Sequence, residues 1–204
     1  MHSNLPSWNH RGAVMCNTLA RPLVGLGLVV GRLTSWLVLL VMAAVLITVL
    51  MNFFGVNVIA RWDERVLLFG RGITINSVTE LQWHIFGVLT LFGATYALHL
   101  DNHVRVDVVY SNLSLRSRAV VNVVGHCVML IPFCLIISWL SKSFVEMSYI
   151  SGEQSNYGGL TDRYLIKAML PFGMVFLAVG ALGQVIRNIG VILDPSIDSD
   201  PPRN

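Results

Sequence analysis

Residues 33–60, LTSWLVLLVMAAVLITVLMNFFGVNVIA, contain no charged side chain, and only Thr34, Ser35, Thr48, Asn52 and Asn57 interrupt the apolar run. A hydrocarbon core of about 30 Å takes about 20 helical residues to cross, so this stretch spans a bilayer with length to spare for tilt. The pattern recurs three times on a shorter scale. Residues 81–98 lie between Glu80 and His99, 119–141 between Arg118 and Lys142, and 168–186 between Lys167 and Arg187. The predicted spans are therefore about 33–58, 81–98, 119–141 and 168–186, each bracketed by charge. Composition agrees. Of 204 residues 54% are hydrophobic and only 12% charged, about half the ~25% usual in soluble domains, and the mean hydropathy is +0.67. Disorder, collagen and a disulfide-rich secreted scaffold are excluded, and the lipid bilayer is the expected environment. The net charge of +3 does not point to nucleic acid, because the basic residues are spread between apolar runs instead of clustering with aromatics. Cys16 lies in a polar stretch, and Cys127 and Cys134 fall in one apolar run, so no disulfide framework is expected.

Ahead of the first span, residues 19–31 are apolar but carry Arg21 and end at Arg32. They are too short to cross and suit a helix lying in the headgroup region. A cleaved signal peptide is not expected, because the first 18 residues are polar and the long apolar run is a full span. The fold class is an all-α integral membrane protein with four transmembrane helices plus an N-terminal interfacial helix. Its parts are a segment 1–32, a four-helix membrane domain 33–187 and a tail 188–204. With both termini cytoplasmic, eight Lys/Arg (Arg11, Arg21, Arg32, Arg105, Arg116, Arg118, Arg187, Arg203) fall inside and six (Arg61, Arg65, Arg71, Lys142, Arg163, Lys167) outside. Arg21 and Arg32 ahead of the first span favour this orientation.

A chain that moves an ion or an acid by itself needs a titratable or coordinating group near the membrane midplane. None of the four runs contains Asp, Glu, Lys or Arg, and no matching pair of broken helices is visible. Pro132 reads as a kink in the third span and Pro171 as part of a first helical turn. No enzymatic activity, cofactor or metal is expected. The histidines raise one alternative, a four-helix haem anchor subunit of a respiratory complex. At about 1.5 Å per residue, His84 lies ~5 Å inside the outer edge and His126 ~10 Å inside the inner edge, too far apart in depth to share one iron. In the second span, Thr90 with Ala94 and Gly93 with Ala97 place small groups four apart, for packing within the bundle or against another subunit.

Three segments carry more than composition. Residues 80–86, ELQWHIF, open the second span with Glu80 and His84 four apart on one face and Trp83 at the interface. Residues 101–107, DNHVRVD, alternate polar with apolar, so that in extended form His103, Arg105 and Asp107 share one side. An ion-pair or docking cluster suits these types better than a metal site, because the intervening guanidinium repels a cation. The third, residues 151–160 with Gly152, Glu153, Gly158 and Gly159, leads through Arg163 and Lys167 into the last span, and its glycines permit tight turns. From Lys142 to Lys167 this connection mixes Glu146, Glu153, Asp162 and Arg163 with Tyr149, Tyr157 and Tyr164, which suits a transient polar interface.

In this order within a four-span chain, the three segments resemble the small membrane subunit, the DctQ-like small permease, of tripartite ATP-independent periplasmic (TRAP) transporters. The resemblance runs from about Arg61 to Arg187 and rests most on residues 103–107, then on Leu113, Ser114, Arg116 and Arg118, and independently on Gly152, Glu153, residues 158–160, Lys167 and Pro171. Thr161 stands where the family often has proline. The first 32 residues carry no resemblance. The resemblance implies an accessory subunit in the bacterial inner membrane, bracing a large membrane subunit that carries substrate and sodium. It also implies a periplasmic substrate-binding protein as partner and an organic acid as cargo. Glu80, Trp83, His84, His103, Arg105, Asp107, Glu153 and Lys167 become the candidate partner-binding or assembly residues.

Overall fold

A computed structural model describes residues 7–100 and 113–196, with side chains from residue 9 onward. Four helical stretches are long and apolar enough to cross a membrane: Asn9–Phe53, Ile75–His99, Leu115–Ile150 and Tyr164–Leu193. The last three run past the spans expected from hydropathy at both ends, whereas the first begins well before residue 33 and stops at Phe53, short of the expected 58, because Val58 already belongs to a strand. The chain divides into two compact units, one comprising Gly31–Gly93 with Ile136–Val175, the other the described parts of Met1–Val30, Ala94–Leu135 and Phe176–Asn204. We call them the hairpin unit and the terminal unit.

The first stretch consists of α1 (Ser7–Ser35) and α2 (Leu37–Phe53), separated only by Trp36. The amino-terminal helix thus starts twelve residues before the expected Leu19 and ends three beyond Arg32. The break has a local cause. Thr34 and Ser35 turn their hydroxyls onto the carbonyls of Gly31 (3.0 Å) and Arg32 (2.7 Å), and the Trp36 N–H reaches only Leu33 O at 3.3 Å. Side-chain oxygens compete there with the regular ladder and tighten the turn.

The connection after α2 is not an irregular loop. It is an antiparallel hairpin of β1 (Val58–Val66) and β2 (Gly70–Thr74), with Val58 opposite Thr74 and Val66 opposite Gly70, and two register shifts between. Val58, Ile59, Trp62 and Val66 supply the β-branched and aromatic side chains that favour a pleated strand. The turn uses positive φ at Leu68 (72°) and Gly70 (61°), and the Trp62 indole N–H donates to Gly70 O at 2.8 Å. The all-α class stands with this small sheet added.

Helix α3 (Ile75–His99) begins five residues before Glu80 because Thr74 and Ser77 cap it reciprocally. Ser77 N donates to Thr74 Oγ1 (3.1 Å) and Thr74 N to Ser77 Oγ (3.2 Å), satisfying donors the helix leaves free. Ala44, Met51 and Val78 form a small core joined by Ile73 and Ile75. Beside it the Gln82 amide donates to Ala44 O (3.0 Å) and Thr48 Oγ1 (2.6 Å), so α2 and α3 are tied by a polar side chain as well as by packing.

The third stretch comprises α4 (Leu115–Gly125), a π-helical segment His126–Leu130 and α5 (Ile131–Ile150). Ser114 caps α4 by accepting from Ser117 N at 3.3 Å. The wide turn ends where Ile131 N–H bonds to His126 O, five residues back, immediately before Pro132. A proline inside an α-helix lacks one donor and crowds the carbonyl four residues earlier, so the π turn is the physical form of the kink expected there. Helix α6 (Tyr164–Leu193) starts before the expected Ala168 and therefore carries Pro171 in its interior instead of its first turn. Its early start is held by Leu165 N to Asp162 O (3.1 Å) and Lys167 N to Arg163 O (3.2 Å), and the Pro171 carbonyl accepts from Ser138 Oγ at 3.2 Å.

In the terminal unit α1 and α6 approach through small residues. Ala13, Ala20 and Ala181 are fully buried, and a Cβ at Gly183 would stand 2.9 Å from Leu23 Cβ. Close backbone approach of this kind is how membrane helices gain dispersion contacts without a hydrophobic driving force.

Candidate functional site

In the hairpin unit, three acidic side chains fasten the connection between α5 and α6. Glu80 receives the Ser155 hydroxyl on Oε1 and the Leu160 N–H on Oε2 at 2.9 Å. Gly159 passes so close that a Cβ there would lie 2.6 Å from Glu80 Cδ, and Gly158 has φ +67°. The Gly158 carbonyl accepts from Thr74 Oγ1 (3.0 Å) and the Tyr157 carbonyl from Asn76 Nδ2 (2.6 Å), while Leu160 is fully buried. The Gly-Gly-Leu triplet is thus explained by one carboxylate: a charged acceptor meets a backbone that must come within contact distance.

Glu80 does not pair with His84, as their spacing had suggested. The loop takes the carboxylate, and His84 Nδ1 donates instead to the Glu80 carbonyl at 2.6 Å. Its Nε2 is buried without a hydrogen-bond partner among the described residues. Trp83 is 70% exposed.

Glu153 is not an open rim carboxylate. It accepts from Ser148 Oγ at 2.8 Å and from Lys167 Nζ, with Arg163 at 3.7 Å. The Lys167 hydrogen bond above all, then that from Ser148, holds its carboxyl below the usual carboxylate range. Lys167 also lies 4.0 Å from the Phe144 ring centroid. Glu153 and Lys167, chosen separately from the sequence, form one staple from the end of α5 to the start of α6. The third acid, Asp162 (φ 55°), binds Arg65 at 2.9 Å, joining the hairpin to the same connection. Thr161 N donates to Leu68 O at 2.8 Å, a bond that proline at this position would lack.

The terminal unit holds a buried polar cluster that the sequence did not single out. His99 is only 5% exposed, and Gln184 Nε2 donates to its Nδ1 at 3.0 Å. His99 Nε2 and Thr95 Oγ1 are buried without a partner among the described residues, packed where Gly27 and Gly180 leave room. The available signal was Gln184 alone in an apolar run, with Gly180 and Gly183 beside it. Farther along, His10 Nδ1 donates to the buried Asp194 carboxylate at 2.8 Å; with Ser196 this lowers the Asp194 pKa to about 2. Among the described residues no group of three His, Cys, Asp or Glu side chains could hold a metal ion. His103, Arg105 and Asp107 lie outside the described residues.

The sequence profile of the DctQ component of tripartite ATP-independent periplasmic transporters matches residues 64–190. No curated protein and no solved structure matches the chain. The matched region takes in most of the hairpin, all three acidic staples and both helices of the Gln184–His99 contact, and it begins beyond α1 and α2. A transporter component replaces the haem-anchor alternative and is not an enzyme. The stapled connection and the four apolar helical stretches are therefore those of a multi-pass membrane protein, and the chain belongs to the DctQ family, the small membrane subunits of TRAP transporters.

Proposed function

We propose that this subunit braces the large membrane subunit of a sodium-coupled organic-acid transporter, and that its stapled connection helps receive the periplasmic binding protein. The observation that carries the bracing reading is the absence of any Asp, Glu, Lys or Arg from the four apolar runs. The amides and hydroxyls of Gln82 and Ser138 bond to neighbouring backbone, which suits a scaffold. Exposed Trp83, Trp139 and Phe172 supply apolar surface for lipid and for a partner. In this reading both termini are cytoplasmic, residues 19–31 form the interfacial part of the amino-terminal segment, and Tyr157, 80% exposed, stands on the periplasmic rim.

Reconstitution tests the reading. Vesicles containing this chain alone should take up no organic acid under a sodium gradient, and vesicles with both membrane subunits and the loaded binding protein should. Sodium-driven uptake by this chain alone would refute the bracing role. Orientation is checked by a single Cys at Asn156, on a background without Cys16, Cys127 and Cys134: labelling from the periplasm is expected, and labelling only from the cytoplasm would reverse the topology. Asn156 is preferable to Gly152, whose φ of +58° would strain a Cys.

A further inference from the structure

The hairpin and the stapled connection enclose a groove of about 390 Å³, within the size range of small-ligand sites. Three arginines border it, Arg61 and Arg65 from β1 and Arg71 from β2, and no carboxylate does. Arg65 is engaged by Asp162, whereas Arg61 and Arg71 are exposed and have no ion-pair or hydrogen-bond partner among the described residues. The two walls are tied to each other by Thr161 N to Leu68 O (2.8 Å) and by Thr74 Oγ1 to Gly158 O (3.0 Å). A Cβ at Gly70 would stand 2.9 Å from Thr161 Cγ2, so the walls meet at van der Waals contact on one side. The groove is therefore shaped by the fold and cannot widen without breaking these bonds.

We propose that this groove is a binding site for a small organic carboxylate, held between the guanidinium groups of Arg61 and Arg71. A planar guanidinium presents paired N–H donors that match both oxygens of a carboxylate, and two such groups in one basin suit an acid with two anionic ends. Of the neutral polar lining, Gln154 offers an amide donor, while the Thr74 and Ser155 hydroxyls are spent on Gly158 O and Glu80. A site fastened on both sides fits a small ligand better than a segment of a partner protein. The role of the groove, a capture point for cargo arriving at the outer face, rests on the transport reading above; the binding itself does not.

The experiment is arginine modification by phenylglyoxal on the two-subunit membrane complex, read peptide by peptide by mass spectrometry. Succinate is the probe, and sodium chloride of matched ionic strength is the reference for simple screening. Succinate at about 10 mM should slow modification of Arg61 and Arg71 about threefold relative to chloride, with Arg21 unchanged. Arg61→Gln/Arg71→Gln should raise the apparent KM for uptake while the complex still assembles. Equal effects of succinate and chloride, or no protection, overturn the site. Protection by the binding protein but not by succinate also overturns it and assigns the groove to an acidic protein surface. Failure of succinate protection with uptake intact leaves the transport reading standing, whereas protection with no uptake does the reverse.

Discussion

The two units solve the burial of polar groups in opposite ways. In the hairpin unit, Glu80 and Asp162 reach across 75 to 97 residues of chain to backbone N–H, hydroxyl and guanidinium groups, and Glu153 across 14 to the Lys167 ammonium, so that each fastens a segment that has no regular secondary structure. In the terminal unit, helices meet through glycine and alanine, and the buried amide and imidazole of Gln184 and His99 face each other across the contact. Outside the hydrocarbon, charge organises loops because water and protein donors are both at hand. Where helices touch, removing side-chain volume does more than adding polar bonds, since lipid already satisfies apolar surface. The first unit should be sensitive to loss of acceptors, the second to gain of bulk.

The largest effect is expected at Glu80. Glu80→Ala leaves the Leu160 N–H and the Ser155 hydroxyl without their acceptor, a loss of roughly 2–4 kcal/mol for a charged acceptor serving buried donors. It should lower the melting temperature and open the connection to trypsin at Arg163, while Glu80→Gln, which keeps one carbonyl oxygen, should do less. Equal melting of Glu80→Ala and wild type would remove the staple from the comparison. Next in size, Gly180→Leu drives a side chain into Thr95 and His99, where even a Cβ would lie 2.6 Å from Thr95 Cγ2. Overpacking of this kind costs about 1–3 kcal/mol, and thermal unfolding in detergent should report it. If Gln184→Leu proved more harmful than Gly180→Leu, polar bonding would outweigh volume in the terminal unit as well.

The smallest effect is electrostatic and exposed. Asp194 has a folded pKa of about 2 against an ordinary 3.8, so its stabilising contribution is complete above 3.8 and disappears as pH falls through about 2. Because the His10 side chain is 61% exposed, the contribution is screened and small. His10→Ala should therefore leave the melting temperature at pH 7 nearly unchanged and flatten its fall below pH 4. A large loss at pH 7 would show that the contact fixes the helix ends.

Much of this architecture is legible in composition. Charge-free runs identify the four helices because the bilayer demands about 20 apolar residues, and that demand leaves its mark residue by residue. Helix ends are less legible: the Thr74–Ser77 cap and the Asp162–Leu165 turn lengthen α3 and α6 with polar residues that hydropathy counts as loop. The hairpin escaped notice because charges at Arg61, Asp63, Glu64 and Arg65 mask the alternation of β1. At the site, Glu80, Glu153 and Lys167 stood out as unusual residues, but their partners lie far away in sequence, and helical spacing suggested His84 instead of Ser155 and Leu160. Thr95 and Gln184 were hidden for the converse reason, since an uncharged polar residue in an apolar run leaves charge-based reading unaffected.

The π turn at His126–Leu130 carries a consequence for the lineage of the chain. A wide turn of this sort has the form of one extra residue accommodated within an α-helix, placed where Pro132 would otherwise meet a crowded carbonyl. Relatives with a different residue at the proline position should then align to this span with a one-residue gap. Read that way, insertion and proline are a compensated pair, and the gap records which of them the helix had to absorb.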